Sequence, residues 1–255
     1  MENIITIDQL NYLDIYDNLS LTIQNHTYYC LSGPNNCGKT TLIRILEKQI
    51  KEDFPIIIHH KKISEYKTQE IDKIVQAIIP FETEFLEDTV ELELLSYQQE
   101  ESYHELIKKL KIARMLTKKI KDLSEKEIIL LELMIAIMNK PMILLIDSID
   151  SFFTKEELNT IHNLLKDLVL KEELTVLETT INLENSLYAN TLGIIQDGKI
   201  VLEGDPQEIL VKDNVINKIG LRLPFMIDLS VKLKDYDLID EIELDKDRMV
   251  DKLWK

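Results

Sequence analysis

Glycine is scarce in this chain. Its 255 residues hold only 6, at Gly33, Gly38, Gly193, Gly198, Gly204 and Gly220, where ordinary usage of about 7% would supply roughly three times that number. No two are adjacent, so any motif that needs paired glycines is absent. Cysteine is scarcer still: Cys30 and Cys37 offer no disulfide framework, which favours a cytosolic chain. Basic residues are outnumbered, 30 Lys and Arg against 46 Asp and Glu, for a formal net charge of −16. That balance argues against nucleic-acid binding carried by phosphate contacts and against adsorption to an anionic membrane. The longest apolar run, Ile128 to Met138, contains Glu132. It falls well short of the roughly 20 residues a bilayer crossing needs, so it reads as a buried helix. The start, Met1-Glu2-Asn3-Ile4, has neither the basic region nor the apolar stretch of a signal peptide.

What is present is an ordinary globular mixture, 45% hydrophobic and 30% charged, long enough for one large domain or one domain with a small appendage. Much of the acidic excess crowds into Asp235, Asp237, Asp240, Glu241, Glu243, Asp245 and Asp247, a run expected to be a solubilising tail. Ile4 to Leu10 and Leu19 to Ile23 alternate apolar and polar residues as a pair of strands would. Residues 88–139 read as mainly helical. Met142 to Asp147 has the continuous apolar character of a central parallel strand. Lys155 to Leu170 predicts an amphipathic helix and Leu174 to Thr180 another strand. Leu192 to Gln196 and Lys199 to Leu202 predict a hairpin around Asp197-Gly198. Strands alternating with helices imply an α/β sheet with a helical insertion.

The chemistry concentrates in Gly33-Pro34-Asn35-Asn36-Cys37-Gly38-Lys39-Thr40. It follows the short apolar strand Tyr28 to Ser32 and precedes Thr41 to Gln49, whose Leu42, Ile45 and Leu46 have helical spacing. Strand, glycine loop and helix in that order make this a P-loop. The glycines let successive backbone N–H groups and a helix N-terminus face a phosphate. Lys39 is placed to reach the β and γ phosphates, and the Thr40 hydroxyl to bind Mg²⁺. Asn36 stands where a third glycine is often found, and asparagine tolerates left-handed backbone. Cys37 is expected to pack inside the loop. The set expected to touch ATP is Gly33, Pro34, Asn35, Asn36, Cys37, Gly38, Lys39, Thr40 and Thr41.

From Met1 to about Leu210 the chain resembles an ATP-binding cassette, and most closely the ATPases of energy-coupling factor importers. Ile4 to Leu10 with Asp17-Asn18-Leu19-Ser20-Leu21-Thr22-Ile23 looks like that family's opening hairpin, and Leu192 to Leu210 (LGIIQDGKIVLEGDPQEIL) like the segment after its switch histidine. Ile219 to Phe225, with Leu229 and Leu233, resembles the subgroup's C-terminal extension. The resemblance implies an α/β P-loop NTPase fold with a mixed sheet, an antiparallel β subdomain, a helical subdomain at 88–139 and a short C-terminal extension. Its cassette would span 1–212 and its extension 213–255. It also implies ATP and Mg²⁺, sandwiched between two cassettes that each contribute a P-loop to one site and a signature sequence to the other. The partners implied are a second cassette in a heterodimer and an integral membrane transport subunit, at the cytoplasmic face of a bacterial-type cell membrane, with no nucleic acid.

Residue by residue, this chain departs from that pattern. Asp147 falls where the family's aspartate supports Mg²⁺, but Ser148 occupies the position of the catalytic glutamate, and a serine cannot take a proton from water as a carboxylate does. The signature is Leu123-Ser124-Glu125-Lys126-Glu127, with only its serine retained and two carboxylates that need Lys126 as compensation near a polyanion. Ile181 replaces the switch histidine. The glutamine of the Q-loop has no counterpart in Ile78-Ile79-Pro80-Phe81 unless Gln76 serves by a local shift. The dimer-contacting D-loop reads Ile149-Asp150-Ser151-Phe152-Phe153. The expectation is therefore an ATP-binding subunit whose own hydrolysis is weak or absent. The alternatives are a non-hydrolysing assembly module and a soluble cassette protein outside transport. Glu178 is expected to be a capping or edge-strand residue rather than a displaced base. His59-His60 is expected to be a solvated loop, and His26, His104 and His162 carry no assigned role. Tyr12 and Tyr16 are both candidates for stacking on adenine.

Overall fold

A computed structural model describes residues 2–97 and 100–253, without the side chains of 100–103. Met1, residues 98–99 of the expected helical insertion, and Trp254 and Lys255 of the expected extension lie outside the described residues. Five strands come early: β1 (Asn3–Tyr12), β2 (Tyr16–Gln24), β3 (Tyr28–Ser32), β4 (Ile56–Ile58) and β5 (Lys61–Lys62). Five more follow: β6 (Val75–Ile78), β7 (Ile143–Asp147), β8 (Thr175–Thr180), β9 (Thr191–Gln196) and β10 (Lys199–Gly204). They form two sheets. One is antiparallel with order β2-β1-β4-β5; the other is mixed with order β10-β9-β3-β8-β7-β6. In the mixed sheet β9, β3, β8, β7 and β6 run parallel, and β10 closes the edge antiparallel to β9.

Patterning explains both sheets. In β2, Tyr16, Leu19, Leu21 and Ile23 point into the core while their neighbours face solvent, the period-two signature of a half-buried strand. By contrast β3, β7 and β8 are buried at every residue, as parallel strands covered on both faces must be. The Asp197-Gly198 turn has φ 48° and 73°, the doubly left-handed geometry that suits a two-residue hairpin. His59 and His60 form a second such turn, between β4 and β5, with φ 44° and 67°, and His60 Nε2 lies 2.8 Å from Glu2 Oε1.

Helix α1 (Lys39–Leu46) fills the space between the sheets, with Leu42, Ile43, Ile45 and Leu46 fully buried. The helical insertion comprises α2 (Val90–Ser96), α3 (Glu100–Leu110) and α4 (Glu125–Met138). Helix α4 is apolar nearly all round and sits in a second core with α5 (Lys155–Leu170), as expected of a helix without a polar face. Toward the end come α6 (Pro206–Leu210), α7 (Asp213–Ile219), α8 (Phe225–Asp235) and α9 (Lys246–Leu253). Ile216, Ile219, Leu221 and Ile227 pack with Cys30, Leu192 and Ile194 of the central sheet.

The acidic run near the end is more than a solvated tail. The Ser230 hydroxyl donates to the Glu243 carbonyl at 2.6 Å, the Glu243 amide donates back at 3.1 Å, and Glu243 pairs with Lys252 at 3.0 Å. Ile239 and Met249 are buried. The aspartates ride on a folded segment.

Candidate nucleotide-binding site

The phosphate loop is held in shape from several directions. At Gly33 a Cβ would sit 2.3 Å from the Ile195 carbonyl oxygen and 2.8 Å from Cys37 Sγ, so no other residue fits. Asn36 has φ 62°, the left-handed backbone expected there. Gly38 caps α1 with φ 101°, and its carbonyl accepts a 2.5 Å hydrogen bond from the Tyr16 hydroxyl. Burial pushes the Tyr16 hydroxyl well above its usual range, so it stays protonated and donating. No acidic residue stands in the first turn of α1. Among the described residues, the amides of Asn35, Asn36 and Gly38 donate to no backbone carbonyl. Free N–H groups at a helix N-terminus without local negative charge form an anion cradle.

Lys39 is buried, and its ammonium donates to the carbonyls of Gly33 at 2.8 Å and Pro34 at 2.9 Å. These are partners a phosphate can replace, since a charge-assisted bond to an anion is stronger than one to a neutral carbonyl. Asn35, Asn36, Gly38, Lys39, Thr40 and Thr41 line a cleft of about 500 Å³ together with Ile15, Ser148, Asp150, Ser151 and Ile181. Pro34 and Cys37 are half-buried within the loop, and Gly33 lies beneath it.

Asp147 sits behind the cleft, nearly fully buried at the end of β7. Its Oδ1 accepts from the Thr179 hydroxyl at 2.5 Å and from the Ser148 hydroxyl at 3.2 Å. The oxygens of Thr40 and Asp147 suit a hard divalent cation such as Mg²⁺. They are the residues that would hold it, where it would neutralise charge on the transferring phosphoryl group. Ser148 has φ 51°, and its hydroxyl faces Asp147 and Thr179, the latter at 3.4 Å. It offers nothing basic to the cleft.

Several sequence expectations change in three dimensions. Neither tyrosine lines the cleft: Tyr16 lies under Gly38, and Tyr12 packs edge-on against Phe54 at 5.5 Å. Ile15 is the apolar side chain that faces the cleft. Gln76 lies within β6, bonded to the Asp72 carbonyl and to Asn139, so it does not stand in for a Q-loop glutamine. Lys126 does not compensate its neighbouring carboxylates, because it pairs with Glu157 at 2.8 Å.

Glu178 is no edge-strand residue. It lies in the sheet interior, where the Tyr28 hydroxyl, His162 Nε2 at 3.0 Å and Asn185 Nδ2 at 3.5 Å converge on it. His162, to which no role was given, is thus half of a buried pair. A carboxylate so enclosed is a structural group, not a displaced base facing the cleft.

The signature segment has become a helix cap. The Ser124 hydroxyl accepts from the Glu127 amide, while Glu127 accepts from the Ser124 amide at 3.0 Å and pairs with Lys118 at 2.6 Å. This capping box satisfies the helix N-terminus internally and places Glu125 and Glu127 in its first turn, where they repel rather than receive a phosphate.

A family model described as ABC transporter matches residues 16–150, just over half of the chain. The chain belongs to the ABC transporter family. It is 27% identical over 242 residues to the energy-coupling factor transporter ATP-binding protein EcfA1 of Ligilactobacillus salivarius, covering 88% of this chain and 85% of that one. It is 25% identical over 275 residues to the EcfA protein of Enterococcus faecium, covering 100% and 98%. In structure it resembles cbiO1 from Clostridium perfringens, part of the ABC transporter complex cbiONQ, with TM-score 0.71, 18% identity and coverage of 90% and 99%. It also resembles a dimeric ATP-binding cassette bound to ADP and Pi, with TM-score 0.66, 19% identity and coverage of 79% and 98%. The mixed-sheet P-loop fold expected of this ABC ATPase is thus the one observed. No described helix is long and apolar enough to cross a membrane.

Asp150 and Ser151 of the altered D-loop complete the cleft together with Ile15, which no motif marks.

Proposed function

We propose that this chain is an ATP-binding subunit of an energy-coupling factor importer, acting as one cassette of a pair on an integral membrane subunit at the cytoplasmic face. It grips Mg²⁺–ATP through Gly33 to Thr41 with Asp147 supporting the metal, and its own hydrolysis is slow. Residues 1–212 act as the cassette and 213–255 as an extension of it. The observation that carries this reading is the preformed cradle, with free loop amides, Lys39 on replaceable carbonyls, and Thr40 in the same cleft. The likeness to EcfA proteins over most of both chains supports the transport assignment.

Reduced hydrolysis follows from chemistry. Ser148 cannot serve as base, and Ile181 cannot contact a phosphate as a histidine does. Loss of one acid–base group typically costs about 10²-fold or more. The capped Ser124 segment impairs the opposite site as well. Equilibrium binding of Mg²⁺–ATP to the purified chain, with co-purification of a second cassette on co-expression, tests the proposal. A chain that binds neither is something else.

A further inference from the structure

We propose that Ile15 is the surface on which the base of a bound nucleotide rests, and that the site therefore takes nucleoside triphosphates of any base rather than selecting ATP. The proposal rests on the nucleotide-site reading above and deepens it by naming the ligand class.

The triphosphate end of the cleft is set by Lys39 and by the oxygens of Thr40 and Asp147. Ser148 and Ile181 stand at that same end, just past the tips of β7 and β8, where Thr179 bonds Asp147. A nucleoside carried on that triphosphate extends away from the strand tips, toward the turn between β1 and β2. That turn contributes one residue to the cleft, Ile15. Its Cγ2 presses on the end of the phosphate loop, 2.7 Å from where a Cβ on Gly38 would stand. The side chain is half-buried, so part of its apolar surface is open to a ligand.

The turn is braced before any ligand arrives. The Ile15 amide donates to the Tyr12 carbonyl at 3.0 Å, the Asp17 amide donates to the Gly198 carbonyl at 3.3 Å, and Asp17 pairs with Lys199 at 2.7 Å. A Cβ on Gly198 would stand 2.6 Å from the Ile15 carbonyl oxygen, so the two turns are in close contact. A platform held in this way costs little to order on binding.

What Ile15 lacks decides the specificity. Among the described residues lining the cleft no side chain is aromatic, so no π face stacks on the base. Steep discrimination between ligands of similar shape needs buried hydrogen bonds to the groups that differ, and apolar contact discriminates weakly. The polar side chains of the cleft come from the phosphate loop, the start of α1 and the turn after β7. None comes from the hairpin under the base. Affinity then comes from the phosphates, with an increment from Ile15 that is nearly the same for every base.

Calorimetric titration of the full chain in Mg²⁺ with ATP, GTP, CTP, UTP and inorganic tripolyphosphate tests the proposal. The four nucleotides should bind within about tenfold of one another. Ile15→Ala should weaken all four by about 3- to 10-fold and leave tripolyphosphate unchanged, which a merely structural role does not predict. Ile15→Leu, which keeps an aliphatic surface, should retain all five affinities, and the wild-type comparison needs no variant to fold. A wider preference for one base overturns the proposal. So does Ile15→Ala binding nucleotides as the wild type does, or losing tripolyphosphate along with them. Each of these results leaves the nucleotide-site reading standing; a wild-type chain that binds none of the five removes both.

Discussion

Replacing Lys39 with alanine separates a P-loop that grips nucleotide from one that merely keeps its shape. Without ligand the ammonium holds the Gly33 and Pro34 carbonyls at 2.8 and 2.9 Å. With ATP it exchanges those partners for phosphate oxygens. A hydrogen bond to a charged group is worth about 1.5–3 kcal/mol, so the variant should bind ATP roughly 10- to 100-fold more weakly. At an ATP concentration 100 times the wild-type Kd, linkage stabilises the wild-type fold by about 2.7 kcal/mol. For a domain of this size that corresponds to a rise in Tm of roughly 5–10 °C. A variant bound 100-fold more weakly gains only about 0.4 kcal/mol under the same conditions, or roughly 1–2 °C. Differential scanning fluorimetry with and without Mg²⁺–ATP reads that difference directly, and each protein serves as its own reference. Equal shifts for both proteins would refute the account of Lys39.

Two further outcomes are expected. Gly33→Ala has no space, with the Ile195 carbonyl oxygen 2.3 Å from the new carbon; it should lower stability by about 1–3 kcal/mol and abolish the ATP-dependent Tm shift, both seen in the same melts. Glu132, buried in the middle of α4, has its pKa raised by burial to about 7, above its unfolded value near 4.3. The folded state therefore holds the proton more tightly, and stability falls as pH rises from about 4.3 through 7. Glu132→Gln should remove that decline and raise Tm at pH 8 but not at pH 4, which melts across the range will check.

Local signals carried much of the architecture into the sequence. The alternating strands, the apolar run ending at Asp147, the Asp197-Gly198 turn and the loop from Gly33 to Thr40 each depend on neighbours within a few residues. The short strands β4, β5 and β6 carry no legible sequence signal, because two to four residues hold too little periodicity. Glu178 was misread because its donors come from Tyr28, His162 and Asn185, which only the fold assembles. Lys126 was assigned to its sequence neighbours, but its partner Glu157 lies 31 residues on. Ser148 leaves β7 in left-handed conformation and leads into a 3₁₀ turn, a backbone feature that no motif encodes. In each case the missing information was a contact between residues distant in the chain or a backbone conformation without its usual glycine.

The central claim is that this cassette retains its hold on ATP while its capacity to cleave it is much reduced. The most direct measurement is phosphate release by the chain assembled with a second cassette and a membrane subunit, the partner cassette's P-loop lysine having been replaced so that only this chain's site turns over. The account predicts saturable ATP binding with turnover at least ~10²-fold below that of a site with an intact catalytic carboxylate. Turnover at ordinary importer rates, abolished by Lys39→Ala in this chain, would contradict it.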